Sequence, residues 1–178
     1  GGVFVPVNPL LKAPQVKHIL KDCETSFLIT SLSRWKQIKE TLNTLNRLRK
    51  TLLTDCTQEQ TPEPCTCWAT LVKGGQQRPL PNRISQDIAA ILYTSGSTGK
   101  PKGVVLSHNN LCSGAKSVAE YLKQSSSDRL LAVLPFSFDY GLSQLTTAFL
   151  KGASVVLMEY LFARDVIKAV AHYQITGL

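Results

Sequence analysis

Ile88-Ala89-Ala90-Ile91-Leu92-Tyr93 runs directly into Thr94-Ser95-Gly96-Ser97-Thr98-Gly99-Lys100-Pro101-Lys102-Gly103, and the reading of the whole chain turns on this junction. The first six residues form a short apolar run rich in strand-favouring side chains, the mark of a buried strand. The next ten hold three glycines, four Ser or Thr hydroxyls and two lysines. Glycines let several backbone N–H groups approach one anion, hydroxyls supply further donors or an oxygen for a hard cation, and lysine supplies positive charge. A polyphosphate calls for all three. A solvent-exposed hairpin turn accounts for glycine and serine, but not for repeated hydroxyls and Pro-flanked lysines directly after an apolar strand. The spacing is not a Walker loop, because Gly96 and Gly99 are too close and Lys100 precedes Pro101 instead of Ser or Thr; nor is it a dinucleotide fingerprint.

Outward from this junction the chain alternates between strand and helix patterns. Upstream, Val3 to Val7 and Ser26 to Thr30 read as strands, with a helix over Lys12 to Asp22 carried by Val16, Ile19 and Leu20. A basic amphipathic helix follows, in which Arg34, Lys36, Lys39, Arg47, Arg49 and Lys50 interleave with Trp35, Ile38, Leu42, Leu45 and Leu52. Residues 54–87, with Pro62, Pro64, Pro79, Pro81 and Gly74-Gly75, read as a long variable loop. Downstream come a strand over Gly103 to Leu106, a helix from Asn109 to Lys123 capped by Ser107 or Asn109, and a strand over Arg129 to Leu134. A helix near Leu142 to Leu150 ended by Gly152, a strand over Ala153 to Met158 and a helix over Arg164 to Tyr173 complete the series. The order predicts an α/β fold, a mostly parallel sheet flanked by helices, with ligands at the carboxyl ends of the strands.

Composition supports a folded domain: 43% of the 178 residues are hydrophobic and 18% charged. No apolar run reaches the ~18 residues that cross a bilayer, so no transmembrane segment is expected. The net charge of +8 is concentrated before residue 54. Its basic residues do not cluster with exposed aromatics, so a solvated outer helix face is expected and no nucleic-acid partner. Cysteines at 23, 56, 65, 67 and 112 are odd in number and point to a reducing, cytoplasmic setting. Cys65-Thr66-Cys67 lacks the spacing and partners of a zinc site. With Gly1 at the start, Met158 the only methionine and the chain stopping at Leu178, the sequence is expected to be a fragment.

The run Tyr93 to Gly103 resembles the phosphate-binding signature of the adenylate-forming superfamily of AMP-binding enzymes: acyl-CoA synthetases, luciferases and the adenylation domains of peptide synthetases. Gly2-Val3-Phe4-Val5-Pro6-Val7-Asn8-Pro9-Leu10 is similar to the strand and turn upstream of that signature. Leu106-Ser107-His108-Asn109-Asn110-Leu111 looks like the segment that closes it, and Leu134-Pro135-Phe136-Ser137-Phe138-Asp139-Tyr140-Gly141-Leu142 like the block where an aromatic gates the acyl pocket. The resemblance implies a partial adenylate-forming N-terminal domain over residues 1–178, a single domain with a glycine-rich phosphate-binding hairpin turn, and without the C-terminal lid domain.

It also implies chemistry. A carboxylate attacks the α-phosphorus of ATP to give an acyl-adenylate and pyrophosphate, and a thiol, of CoA or of a carrier protein, then takes the acyl group. Thr94, Ser95, Gly96, Ser97, Thr98, Gly99 and Lys102 are implied to hold the β- and γ-phosphates, with Lys102 catalytic and Thr94 a ligand to Mg²⁺. His108, Phe138 and Asp139 are implied on the substrate side. For His108 a helix-capping role is the alternative; for Asp139 a cap or pocket-wall role is preferred to holding a substrate ammonium. The expected function is an acyl-CoA synthetase type of carboxylate ligase, inactive as 178 residues alone because the adenine, ribose and lid motifs have no counterpart here. An amino-acid adenylation domain and a non-catalytic remnant or interaction module of the same fold are the alternatives.

Overall fold

The computed structural model describes residues 1–75, 79–94, 101–160 and 162–178. In chain order the elements are α1 (Ala13–Asp22), β1 (Phe27–Thr30), α2 (Leu32–Leu42), β2 (Lys50–Leu53), β3 (Thr66–Cys67), α3 (Trp68–Lys73), β4 (Ile88–Thr94), β5 (Lys102–Ser107), α4 (His108–Tyr121), β6 (Arg129–Ala132), α5 (Asp139–Lys151), β7 (Ser154–Leu157) and α6 (Ala163–His172). They fall into two compact units, one containing Gly1–Asn8, Pro81–Thr94 and Lys102–Leu178 and the other containing Pro9–Leu80.

In the unit built on Pro9–Leu80, β1, β2 and β3 form a parallel sheet in that order. α1 begins with Pro14 in its first turn, where the missing N–H costs nothing, and buries Val16, Ile19 and Leu20. α2 starts at Ser31, whose hydroxyl accepts from the Arg34 N–H at 3.1 Å. Here the structure corrects the sequence reading: the basic helix ends at Leu42, and Lys50–Leu53 is the central strand β2. Thr51, Leu52 and Leu53 are buried in succession, which suits a strand covered on both faces and which helical spacing does not allow. The intervening Asn43, Thr44 and Asn46 disfavour helix and end it. Trp35 is half-buried, with the Lys39 ammonium 5.9 Å from its ring centre. Residues 54–87, expected as loop throughout, contain β3 and α3. A two-residue strand is too short to show a period, and only its pairing of Leu52 with Thr66 and Leu53 with Cys67 defines it.

In the other unit β4 and β5 are an antiparallel hairpin, in register from Thr94 opposite Lys102 to Ala90 opposite Leu106, with a one-residue shift before Ile88 opposite Ser107. The expected strand at Val3 to Val7 is a single parallel bridge from Phe4 to Ala90, with Phe4 N–H donating to Ala89 O and Ile91 N–H to Phe4 O, both at 3.1 Å. β6 and β7 pair in parallel across α5, and the chain end adds a bridge from Leu130 to Gly177. α4 is capped by Ser107, not Asn109: the Ser107 hydroxyl accepts from Asn110 N–H at 3.1 Å and Asn110 Oδ1 accepts from Ser107 N–H at 2.9 Å. α5 ends at Gly152 with φ of 69°, the left-handed cap expected of a glycine there. Ala89, Ala90, Leu92, Leu130, Leu131, Ala132 and Ala148 are among the buried residues of this unit.

Candidate functional site

The last pair of the hairpin places the predicted phosphate ligands that lie within the described residues. Thr94 and Lys102 sit directly opposite each other, and side chains opposite one another on antiparallel strands leave the same face, with Cβ atoms about 5 Å apart. Both are exposed at the strand ends, so a hydroxyl and an ammonium reach outward together. One step inward, Gly103 faces Tyr93. A Cβ on Gly103 would come within 2.8 Å of Ile91 Cγ2 and 3.1 Å of Tyr93 Cζ, so the bare backbone makes room for the Tyr93 ring beside the pair. Ser95, Gly96, Ser97, Thr98 and Gly99 lie outside the described residues.

The second feature is a cleft of about 280 Å³ between the hairpin, α4 and α5, close to the lower limit of ordinary small-molecule sites. Leu92 and Leu106 supply apolar surface, Gly114 opens the α4 side, and Asp139, Ser143 and Thr146 line the α5 side. Those three occupy steps of four and three along α5, one face of the helix. Asp139 is the first residue of α5, and its Oδ1 accepts from the Tyr140 N–H at 2.8 Å. Asp139 thus stands in the pocket wall, while the helix-cap role expected as its alternative is not what it takes: the N-cap is Phe138, with no side-chain cap bond, and Asp139 bonds only its neighbour's N–H. Phe138 is the N-cap residue, with 59% of its surface exposed.

His108 is elsewhere. Its backbone N–H donates to Asp87 O at 3.0 Å, and the residue lines a separate cavity with Val3, Arg83 and Asp87, where Arg83 and Asp87 approach to 3.8 Å. The structure thus separates His108 from the cleft that Asp139 lines. Sequence reasoning passed over Gly114, Tyr140, Ser143 and Thr146, all of which line the cleft. The polar stripe at 139, 143 and 146 was the available signal. Among the described residues no group of three or more His, Cys, Asp or Glu side chains is arranged to hold a metal, and no helix is long and apolar enough to cross a membrane.

Comparison with known proteins bears on this arrangement. The family model described as AMP-binding enzyme matches residues 1–178. The chain is 31% identical over 179 aligned positions to gramicidin S synthase 2 of Brevibacillus brevis, covering 99% of this chain and 4% of that protein. It is 32% identical over 168 positions to 4-coumarate–CoA ligase 3 of Arabidopsis thaliana, covering 89% of this chain and 28% of the ligase. Among solved structures, the anthranilate CoA ligase AuaEII in complex with anthranoyl-AMP superposes with a TM-score of 0.88 at 24% identity, over 98% of this chain and 34% of that one. The chain therefore spans less than a third of either sequence relative.

Proposed function

The chain belongs to the AMP-binding enzyme family, and from that premise we propose that it carries the phosphate-binding hairpin and part of the carboxylate pocket of an ATP-dependent, AMP-forming ligase of the acyl-CoA synthetase type. The observation that supports this most directly is the Thr94–Lys102 pair at the mouth of the β4–β5 hairpin. Transfer at phosphorus rests on positioning and on neutralising charge as the leaving group departs. Lys102 supplies a cation where the β- and γ-phosphates of ATP would lie, and its role is to stabilise pyrophosphate as it leaves. Ser95, Gly96, Ser97, Thr98 and Gly99 are proposed to add donors to the same phosphates. The Thr94 hydroxyl, exposed beside Lys102, fits Mg²⁺ as one hard oxygen among phosphate oxygens and water, the mode in which that ion is usually held. When bound, the ion would offset phosphate charge.

The cleft between α4 and α5 is proposed to take the carboxylic acid, with Phe138 at its edge; His108, in its own cavity, is assigned no contact with the acid. CoA or a carrier-protein thiol is the proposed acceptor, and the cytoplasm the proposed setting. An amino acid as the substrate is the second reading, favoured by one observation: the Asp139 carboxylate lines the cleft and could meet a substrate ammonium. Carboxylate-dependent ATP–pyrophosphate exchange, measured on the protein that bears this chain, tests the proposal. Lys102→Ala is expected to slow exchange by about 10²- to 10³-fold, as for loss of one preorganised donor. An unchanged rate removes Lys102 from the mechanism.

A further inference from the structure

Cys56, Cys65 and Cys67 lie close together in sequence, and none of the five cysteines is in a disulfide. β2 ends at Leu53, which pairs with Cys67 on β3, and Cys56 stands three residues beyond that strand end. The Cys67 thiol donates to the backbone oxygen of Cys56, eleven positions away, at 3.1 Å. The Cys56 side chain is also near enough to lower the Cys67 pKa slightly, and Cys56 Sγ lies 3.2 Å from Thr61 Oγ1. Cys56 is half-buried, while Cys67 is buried to 1% exposure. We propose that Cys56 and Cys67 form a two-electron redox pair that closes to a disulfide on reaction with a hydroperoxide, Cys56 being oxidised first and Cys67 resolving it.

The division of labour follows from access and from charge. Cys56 is the thiol of the pair that a dissolved peroxide reaches. Its thiolate attacks one peroxide oxygen, the O–O bond breaks, and the departing oxygen leaves as an alcohol, or as water from hydrogen peroxide, carrying the proton Cys56 gave up. Cys56 is then a sulfenic acid. The Cys67 thiolate attacks that sulfur, the S–O bond breaks, and hydroxide leaves with the Cys67 proton as water. Two thiols and one hydroperoxide thus give one disulfide, one alcohol and one water. Hydrogen bonds from the Thr70 backbone and hydroxyl, and from the Ala69 backbone, favour the Cys67 thiolate and lower its pKa from 9.0 against the opposing effect of burial. Cys65 goes the other way, raised first by burial and then by the nearby Cys56 and Glu63, which disfavours its thiolate relative to that of Cys67.

The disulfide would tie the two-residue edge strand β3 to the segment that follows β2, a link that the fold otherwise makes through a short ladder. The test is peroxide treatment of the reduced full chain at low protein concentration, followed by maleimide capping in denaturant and peptide mapping without reduction. A Cys56–Cys67 cross-linked peptide is expected, lost on adding dithiothreitol and retained in Cys65→Ser. In Cys67→Ser the Cys56 sulfenic acid should accumulate and be trapped by dimedone. A Cys56–Cys65 cross-link, capped Cys56 and Cys67 after peroxide treatment, or a Cys56–Cys67 link that forms equally well when the chain is oxidised in urea would each overturn the proposal. The wild-type and Cys65→Ser maps decide it even where Cys67→Ser does not fold.

Discussion

Gly141 and Gly114 both lie in helices beside the cleft, and replacing each with alanine should have opposite effects. Alanine is the better helix former by about 1 kcal/mol in a helix interior, so propensity alone stabilises both variants. At Gly114 a Cβ meets nothing within 4 Å, and the propensity gain stands. At Gly141, in the first turn of α5, the Cβ would lie 2.8 Å from Leu134 O and closer still to Pro135 O. Both are backbone atoms, and Pro135 O already accepts from the Phe138 N–H at 3.0 Å, so no side chain can swing aside. Restoring an ordinary contact near 3.4 Å to Leu134 O moves the turn by roughly 0.6 Å, and Pro135 O demands more. Overpacking of this kind costs about 1–3 kcal/mol, which matches or exceeds the propensity gain. The net expectation for Gly141→Ala is about 0–2 kcal/mol of destabilisation, a fall in Tm of up to about 8 °C for a chain of this length. Gly114→Ala should melt at or above the wild-type temperature. Thermal unfolding followed by circular dichroism reads both, and a Gly141→Ala variant as stable as Gly114→Ala would refute the close approach of α5 to the Leu134–Pro135 backbone.

Three further outcomes are expected. Ser107→Ala removes the hydroxyl that accepts from Asn110 N–H and should cost about 0.5–2 kcal/mol in urea unfolding, the usual range for an N-cap. Asp128 accepts from the Ser125 N–H at 2.6 Å and from the Thr176 hydroxyl at 2.8 Å. These bonds, the Ser125 backbone bond foremost, hold its pKa below 3.8. A depressed folded pKa contributes stability above the unfolded value and loses it as pH falls toward the folded value. The Tm advantage of wild type over Asp128→Asn should therefore persist near neutral pH and shrink below about pH 3.8; a gap that is constant down to the acid limit would show that the charge is not what these bonds favour. Third, if the amino-acid reading holds, Asp139→Ala should abolish exchange with amino acids selectively, because an unpaired buried ammonium is costly. With the acyl reading, fatty, aryl and amino acids keep their order of preference in that variant.

The sequence by itself determined the local elements wherever a period of sufficient length or a residue of special conformation stood behind them. Val16, Ile19 and Leu20 marked α1, the apolar run before Thr94 marked β4, and Gly152 marked the end of α5, because each rests on physics confined to a few neighbouring residues. The phosphate-binding role proposed for Thr94 to Lys102 likewise rests on sequence, where glycine, hydroxyl and lysine chemistry stand in consecutive positions. Tertiary structure alone decided the rest. Leu52 extends a helical pattern on paper, yet Thr51, Leu52 and Leu53 form a strand because β1 and β3 flank them in the parallel register. β3 exists only through that pairing, and Val3 to Val7 shrinks to Phe4 because hydrogen bonds to Ala89 and Ile91 are the ones available. The cleft, the separation of His108 from Asp139, and the contact of Cys56 with Cys67 join residues far apart in the chain or across a reversal. Such meetings depend on long-range packing, which no local window of sequence contains.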